Sequence, residues 1–402
     1  MAGHFKNPIV GQLWAARQEA KERQLQKGQE GQEPPTDQPK TPSQSMTEIS
    51  YPFSKDNYLL EAYQNPWGFI RMGRVLEDLD AMAGNVAFHH VVGFPVIVTA
   101  GVDRIRLRQH PLVTNQSDMT LIGKVTWVGT SSMEIRMQLS LEQEEEWLEA
   151  YFTFVTLDPE TRKPARVPPL LPETNEERAQ FELGALKAKN KKMARRTQKA
   201  AAAGQPQTDQ SIKIDELAAS LMEKAGPLIR MPSLANPHSI LMRDTQVQNA
   251  EMAQPQVRNL HGRIFGGYLM RRAFELAFAN AYMFGGAKPS FLEVDDISFD
   301  LPVDVGDLLV FSSRVLYTRP EGANLGSYMG HYHPNQPLLM IEVEVWVTEP
   351  ESTRARVSNT LHFNFSLPEN TPCRTVLPGN IDEARRMATR MIAEKEHADL
   401  RT

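Results

Sequence analysis

Cysteine is almost missing from this chain: Cys373 is the single one in 402 residues. One thiol cannot form an intramolecular disulfide and cannot build a cysteine metal cluster, which suits a reducing compartment. A basic excess is missing too. The net charge is -5, whereas nucleic-acid binding domains carry a concentrated positive surplus. Long hydrophobic runs are also lacking. The nearest, residues 86–102, is interrupted by His89, His90 and Pro95 and falls short of the roughly 18 unbroken apolar residues of a membrane span. The first residues, "MAGHFKNPIVGQLWAARQEAKERQ", hold no secretory apolar core. Arg17, Lys21 and Arg23 suit an organelle presequence helix, but Glu19 and Glu22 do not, and a frayed polar tail accounts for the stretch as well.

The composition that remains, 41% hydrophobic and 23% charged, is that of ordinary globular protein, and the length allows two or three domains. Residues 25–46, rich in Gln, Pro and Ser, lack the apolar side chains that would offset ordering entropy and are predicted to be disordered. They belong to an N-terminal tail, 1–48, with order starting at "ISYPF". A charged, Ala-rich stretch at 173–230 reads as a helical linker between a first domain, 49–172, and a second, 231–370. Residues 371–402 form a C-terminal tail with a helix.

The two domains repeat one pattern. Asn65, Gly68, Ile70 and Gly73 recur 194 positions on as Asn259, Gly262, Ile264 and Gly267, and Ala83 and Ala87 recur as Ala277 and Ala281. "VDRI" at Val102 then matches "VDDI" at Val294, with the offset reduced to 192. Ordered matches of this kind point to a duplication. After each glycine the spacing is helical: Val75, Leu76, Leu79, Met82, Ala83 and Val86 make one stripe, and the helix from Leu269 to Phe278 is apolar nearly all round and must be buried. Strand-like runs follow. Ile341, Val343, Val345 and Val347 alternate with Glu342 and Glu344, as in a sheet with one buried face. An α+β fold is expected, each half one helix wrapped by its own antiparallel sheet. Trp127 and Trp346 read as strand aromatics in its core.

The combination "NxxGxxxGG", a helix with an acid near its second turn, and "VDxI" on the next strand resembles the hotdog-fold acyl-coenzyme A thioesterases. With "YPFS", "GRVLEDLDAMAG", "WVGTSSMEIRMQL" and "RIFGGYLMRRAFELA" the two-copy chain is similar to the double-hotdog members of the thioesterase 9 type, from about Ser50 to about Leu367. The resemblance implies tandem hotdog domains and hydrolysis of acyl-coenzyme A with no cofactor or metal. It also implies a homo-oligomer, a trimer of double-hotdog units, and a mitochondrial location, with the cytoplasm as the alternative.

Thioester hydrolysis needs a polarised carbonyl, an oriented water and a base. The amides of Gly266 and Gly267, at a helix start with no side chain in the way, can serve a developing oxyanion. Asn259 can orient water without changing charge, or brace its loop as an Asx turn, the reading that Pro66 favours for Asn65. The first helix offers three acids. At about 100° per residue, Glu77 falls opposite the apolar stripe while Asp78 and Asp80 fall on its two borders, so the wheel leaves both open. The resemblance implies Asp80, seven residues after Gly73. The matching position in the second half is Phe274, and Glu275, one residue out of register, reads as an ion-pair partner for Arg271. In the family the chain resembles, the Asn of one hotdog faces the acid of the other, so the resemblance implies one competent site, Asp80 with Asn259, Gly266 and Gly267, and a degenerate mirror site with Asn65, Phe274 and Met72. Whether Asp80 acts as base or nucleophile is open at this level.

Arg263, Thr130, Ser131 and Ser132 are weaker candidates for holding coenzyme A, the last three because relatives hold the nucleotide near "GTSS". The basic run from Lys187 to Lys199 reads as a solvated linker helix, with coenzyme A phosphates or RNA as alternatives. His331 and His333 have metal-like spacing but lack a third ligand. Two further readings stand beside hydrolysis: a non-catalytic acyl-coenzyme A binding module, and a hotdog hydratase, which "NPHS" at Asn236 fits poorly because the preceding Gly-Asp is absent.

Overall fold

The computed structural model describes residues 8–29, 38–92, 95–108, 117–141, 146–202, 209–259, 262–320 and 336–399. The first half contains helices α1 (Pro8–Gln29), α2 (Pro42–Ser45), α3 (Asn57–Tyr63) and α4 (Met72–His90) with strands β1 (Thr47–Tyr51), β2 (Val96–Leu107), β3 (Met119–Val128), β4 (Ser132–Leu141) and β5 (Glu146–Leu157). Two helices, α5 (Asn175–Ala202) and α6 (Asp209–Arg230), connect it to the second half. There β6 (Ser239–Leu241) and β7 (Val247–Met252) precede helix α7 (Gly266–Gly285), and β8 (Ser290–Phe299), β9 (Leu308–Arg319), β10 (Leu338–Glu349), β11 (Arg354–Ser366), β12 (Thr375–Leu377) and α8 (Ile381–Asp399) follow.

The halves share one ten-stranded sheet in the order β1-β3-β4-β5-β2-β8-β11-β10-β9-β7. Read outward from the centre, β2-β5-β4-β3-β1 mirrors β8-β11-β10-β9-β7, which is what a duplicated unit gives when its two copies are related by a two-fold axis. The junction is the antiparallel pairing of the two "VDxI" strands, in which Val102 faces Ile297 and Ile105 faces Val294. The sheet curls around α4 and α7. The predicted stripe, Val75, Leu76, Leu79, Met82, Ala83 and Val86, is fully buried, and so are Met270, Ala273 and Ala277 of α7. This is the tandem hotdog arrangement expected from the sequence.

Three expectations are corrected. Residues 8–29 of the supposed disordered tail form α1, because Ile9, Val10 and Leu13 make an apolar patch that is buried in the core. The patch occupies only the first turn or two of an otherwise charged helix, so averaged composition conceals it. Residues 38–46 are ordered as well: the Lys40 backbone pairs with Pro169 and Leu171, and the short α2 follows with its Thr41–Gln44 capping box. Finally, the polar face of the second half's part of the sheet is not left to solvent. Glu342 and Glu344 are buried beneath α8, where Arg386 bonds both carboxylates, with Arg314 on Glu344 and His362 on Glu342.

Outside the first half, α5 lies on the sheet in a similar way. Lys187 reaches Glu134 at 3.2 Å and sits over the Tyr151 ring, and Lys191 pairs with Asp103. These two lysines of the basic run are therefore docking groups for the linker, not solvated charges. Trp127 is half-buried under Gly184 of α5 rather than inside the barrel. His331 and His333 lie outside the described residues.

Leu13 anchors α1. Leu13→Ala should destabilise the protein by about 2–5 kcal/mol, the usual cost of truncating a buried leucine, and lower Tm by several degrees. An unchanged thermal midpoint would mean that α1 is not docked in solution.

Candidate active site

Both Asn loops fold alike, which follows from their shared residues. The amides of Gly68 and Gly262 donate to the Asn65 and Asn259 carbonyls at 3.1 Å each, with φ of 79° and 84°, a turn conformation that glycine adopts without strain. The Asn65 carboxamide oxygen accepts from the Trp67 and Phe69 amides at 3.0 Å, and that of Asn259 accepts from the Arg263 amide at 3.1 Å. The loop-bracing role suggested for Asn65 is thus played by both.

Each loop launches a helix, and α4 and α7 meet near their N-termini. A Cβ on Gly267 would lie 2.8 Å from the Glu77 carbonyl oxygen, so the close approach of the helices requires glycine there. The wheel's ambiguity is resolved by what each acid meets. Asp78 turns into the first half's core, where Tyr51 donates to it at 3.0 Å and Tyr63 donates to the same oxygen. Glu77, expected on the far face, is buried between Arg74 and Arg271, at 3.3 and 3.4 Å. Asp80 points at the start of α7. Its Oδ2 accepts from the Gly267 amide at 2.7 Å and its Oδ1 from the Thr99 hydroxyl at 3.0 Å.

The Gly pair therefore divides its work. The Gly267 amide holds Asp80, while the Gly266 amide makes no hydrogen bond among the described residues and Gly266 lines the adjoining cavity. That cavity, about 290 Å³, is also lined by Asp80, Thr99, Asn259 and Arg263. Arg263 stands at its rim and pairs with Asp304 at 3.4 Å. Thr130, Ser131 and Ser132 do not line it; their turn follows β3, where the Thr130 and Ser131 carbonyls accept from the Val167 and Thr156 amides.

Among the lining residues that sequence reasoning missed are Thr99, Trp14 and Arg17. Thr99 arrives on β2 with no local mark of its partner. Trp14 and Arg17 come from α1. Trp14 meets Phe265 edge-on with ring centroids 5.3 Å apart, and Arg17 lies over the Phe88 ring at 5.1 Å. Burial pushes the Arg17 guanidinium down to about 10. It forms no ion pair among the described residues, so α1 brings an unneutralised cation to this cavity.

Burial is also the largest influence on Asp80 and pushes its carboxyl up to about 6; the Gly267 and Thr99 donors pull against it and the Glu77 charge adds to it.

The mirror position is chemically different. Phe274 stands for Asp80 and is packed edge-on to Phe291 at 5.1 Å. Glu275 does not pair with Arg271 as predicted; it binds Arg71, from the start of α4, and Arg272. Arg271 is drawn instead to Glu77 on the neighbouring helix.

No family model matches the chain. It is 39% identical to the acyl-coenzyme A thioesterase 4, mitochondrial, of Humulus lupulus over 98% of this chain and 75% of that protein. It is 32% identical to the acyl-coenzyme A thioesterase 9, mitochondrial, of Homo sapiens over 83% of this chain and 74% of that one. Among solved structures it is similar to an acyl-CoA hydrolase from Staphylococcus aureus, with 24% identity, a TM-score of 0.35, and coverage of 41% of this chain and 95% of that one.

A carbon-13 titration of Asp80 should give a midpoint near pH 6, and Thr99→Val, which removes a donor to the charged form, should move it higher. A midpoint near 4, the ordinary aspartate value, would contradict the burial described. The folded pKa exceeds the unfolded one, so Asp80 supports folding fully below about pH 4 and loses that contribution as pH rises through about 6. Asp80→Asn should therefore gain stability relative to the wild type as pH rises from about 4 to about 6, with a constant difference above that.

Proposed function

The chain belongs to the acyl-coenzyme A thioesterases, and from that membership we propose that it hydrolyses acyl-coenzyme A to a carboxylate and free coenzyme A at the site where Asp80 of one half meets the α7 N-terminus of the other. The observation that carries this reading is the pair of bonds on Asp80, from Gly267 and Thr99, beside a cavity that also contains Asn259 and Gly266. The non-catalytic alternative has no feature of this site in its favour.

In the proposed reaction Asp80 takes a proton from a water oriented with the help of Asn259. The resulting hydroxide adds to the thioester carbonyl carbon. The Gly266 amide and the positive end of α7 stabilise the oxyanion. Collapse breaks the C–S bond, and the proton held by Asp80 passes to the departing coenzyme A thiolate. Water is the only co-reactant, so the chemistry needs no redox cofactor, and in this scheme Asp80 and the α7 amides take the base and electrophile roles. Arg263 is proposed to meet the coenzyme A portion at the rim. Thr130, Ser131 and Ser132 can contribute to binding only from outside the described cavity. Relatives named mitochondrial and chloroplastic support an organellar location, and we propose the mitochondrion.

Asp80→Asn should lower kcat by roughly 10²–10⁴-fold, the range of a lost general base, with little change in KM. Asn259→Ala should also lower kcat, and the double variant should be little worse than the poorer single one, because groups serving one step are not additive. Asn65→Ala and Glu275→Gln should cost less than about tenfold, well short of a lost general base. Abolished turnover in Glu275→Gln alongside an active Asp80→Asn would assign catalysis to the other site. In single turnover in ¹⁸O-water, label should enter the acid product and not Asp80; labelled Asp80 would identify it as a nucleophile.

The trimer of double-hotdog units is part of the same proposal. The ten-stranded sheet ends in β1 and β7, each paired on one side only among the described residues. Sedimentation equilibrium at micromolar concentration should give three chains per particle, and a fully active species at the 45.3 kDa of one chain would rule the oligomer out.

A further inference from the structure

The mirror site keeps its shape but loses its chemistry. The Asn65 loop is built as the Asn259 loop is. Four positions around it have changed character by the repeat offsets: Asp80 becomes Phe274, Thr99 becomes Phe291, Gly84 becomes Phe278 and Gly266 becomes Met72. Each change replaces a polar or minimal group by a large apolar one, yet the space has not closed. A cavity of about 690 Å³ is walled by these four residues, with Phe69 and Trp67 at the loop. That volume lies within the roughly 300–1,000 Å³ of small-molecule sites, most of which have mainly apolar walls and a few polar anchors. Trp67, 42% exposed, lies 5.7 Å from Phe278 and 6.0 Å from Tyr282, centroid to centroid.

The charges at this cavity are nearly balanced. Arg71 is neutralised by Glu275. Lys288 has no ion-pair partner among the described residues; its ammonium lies 4.0 Å from the centre of the Phe69 ring and 5.9 Å from that of Trp67. Glu61 also borders the cavity. One unneutralised ammonium, with the carboxylates Glu61 and Glu275 close by, suits a ligand with one negative charge. Several phosphates, as on coenzyme A, would find one free cation here among the described residues, with two carboxylates beside it.

We propose that this cavity binds a free long-chain fatty carboxylate, with its chain among Phe274, Phe278, Phe291 and Met72 and its carboxylate on Lys288. Each methylene moved from water onto the aromatic wall favours binding, and the ammonium fixes the head at the rim. The site has Phe274 where the other has Asp80 and Met72 where it has Gly266, so it lacks the acid and the glycine pair of the Asp80 site, and the fatty acid is held and not transformed. The proposal does not rest on turnover at Asp80, although a fatty acid is the product proposed for that site.

Dodecanoate should be titrated into the full-length protein by calorimetry and by tryptophan emission. Saturable binding is expected. Lys288→Gln should raise Kd about tenfold or more, leave hydrolysis within twofold, and keep the melting midpoint. Trp67→Phe should remove the emission change but keep the heat. Gly84→Phe, which fills the Asp80 cavity, should leave this binding in place. No saturable binding, unchanged affinity in Lys288→Gln, or binding abolished by Gly84→Phe would each overturn the proposal, the last by assigning the fatty acid to the Asp80 site. Equal affinity for dodecylamine would overturn the role of Lys288, and tighter Lys288-dependent binding of the dodecyl-coenzyme A thioether would overturn the choice of free acid. Loss of turnover with dodecanoate binding intact would count against the hydrolysis reading alone.

Discussion

The pairing of β2 with β8 is the constraint on which the rest of the molecule depends. It is antiparallel and nearly self-complementary, with Val102 opposite Ile297 and Ile105 opposite Val294. Two copies of one unit joined this way are related by a two-fold axis, and their central helices must then pack against each other. An acid two turns into one helix is thereby brought to the N-terminus of the other: Asp80 accepts from Gly267, 187 residues away in the chain. Neither half has this contact by itself. The geometry around Asp80 is a property of the junction, and the sequence elements that build the junction lie outside the proposed catalytic residues.

Two-fold symmetry makes two such junction sites, and a fused chain can furnish them differently. Residues of α7 serve both. Its first turn presents Gly266 and Gly267 to Asp80, and its later turns present Phe274 and Phe278 to the mirror cavity. A helix that has to do both is apolar over most of its circumference. The crossing itself is held by charge: Glu77 lies between Arg74 and Arg271, and Arg71 reaches Glu275. These pairs are partly or largely buried, and removing one member of such a pair leaves a charge without compensation. They fix how the helices cross, and through that the distance from Asp80 to the glycine amides.

Local information in the chain was legible, and non-local information was not. The repeat, the buried stripe of α4, the burial of α7 and the Gly-based loops follow from spacing over a few residues. The helical wheel placed Asp78 and Asp80 on the borders of the stripe but could not say what lies across each border. Tyr51 and Tyr63 decide one and Gly267 decides the other, and they come from other elements. Thr99 carries no mark of its partner for the same reason. Glu275 reads as a partner for Arg271, four residues back, whereas it binds Arg272 and, from the start of the crossing helix, Arg71. Composition averaged over a window hid the patch of Ile9, Val10 and Leu13 within a charged helix, and with it the route by which Trp14 and Arg17 reach the cavity. Alternation in β10 correctly separated two faces. It could not show that α8 covers the polar one.

The two border acids show why the site needs more than a buried carboxylate. Asp78 and Asp80 lie two residues apart on one helix, and both are nearly inaccessible to solvent. Burial holds Asp78 well above the usual carboxylate range, and the hydrogen bonds from Tyr63 and Tyr51 only partly oppose it. Its charged form is disfavoured there, and its two donors are core tyrosines, not a helix start that opens on the cavity. Asp80 is penalised by burial too, but a backbone amide at a helix start and a threonine hydroxyl both stabilise its charged form, and it comes to rest at about 6. Such a group is largely ionised at pH 7 yet remains a stronger base than a solvated aspartate, the compromise that proton transfer near pH 7 favours. The Gly267 amide contributes to this in a way a side-chain donor could not. It is fixed by the helix, carries the helix's positive end, and adds no atoms beyond the backbone, so the amide next to it, Gly266, stays open to the cavity.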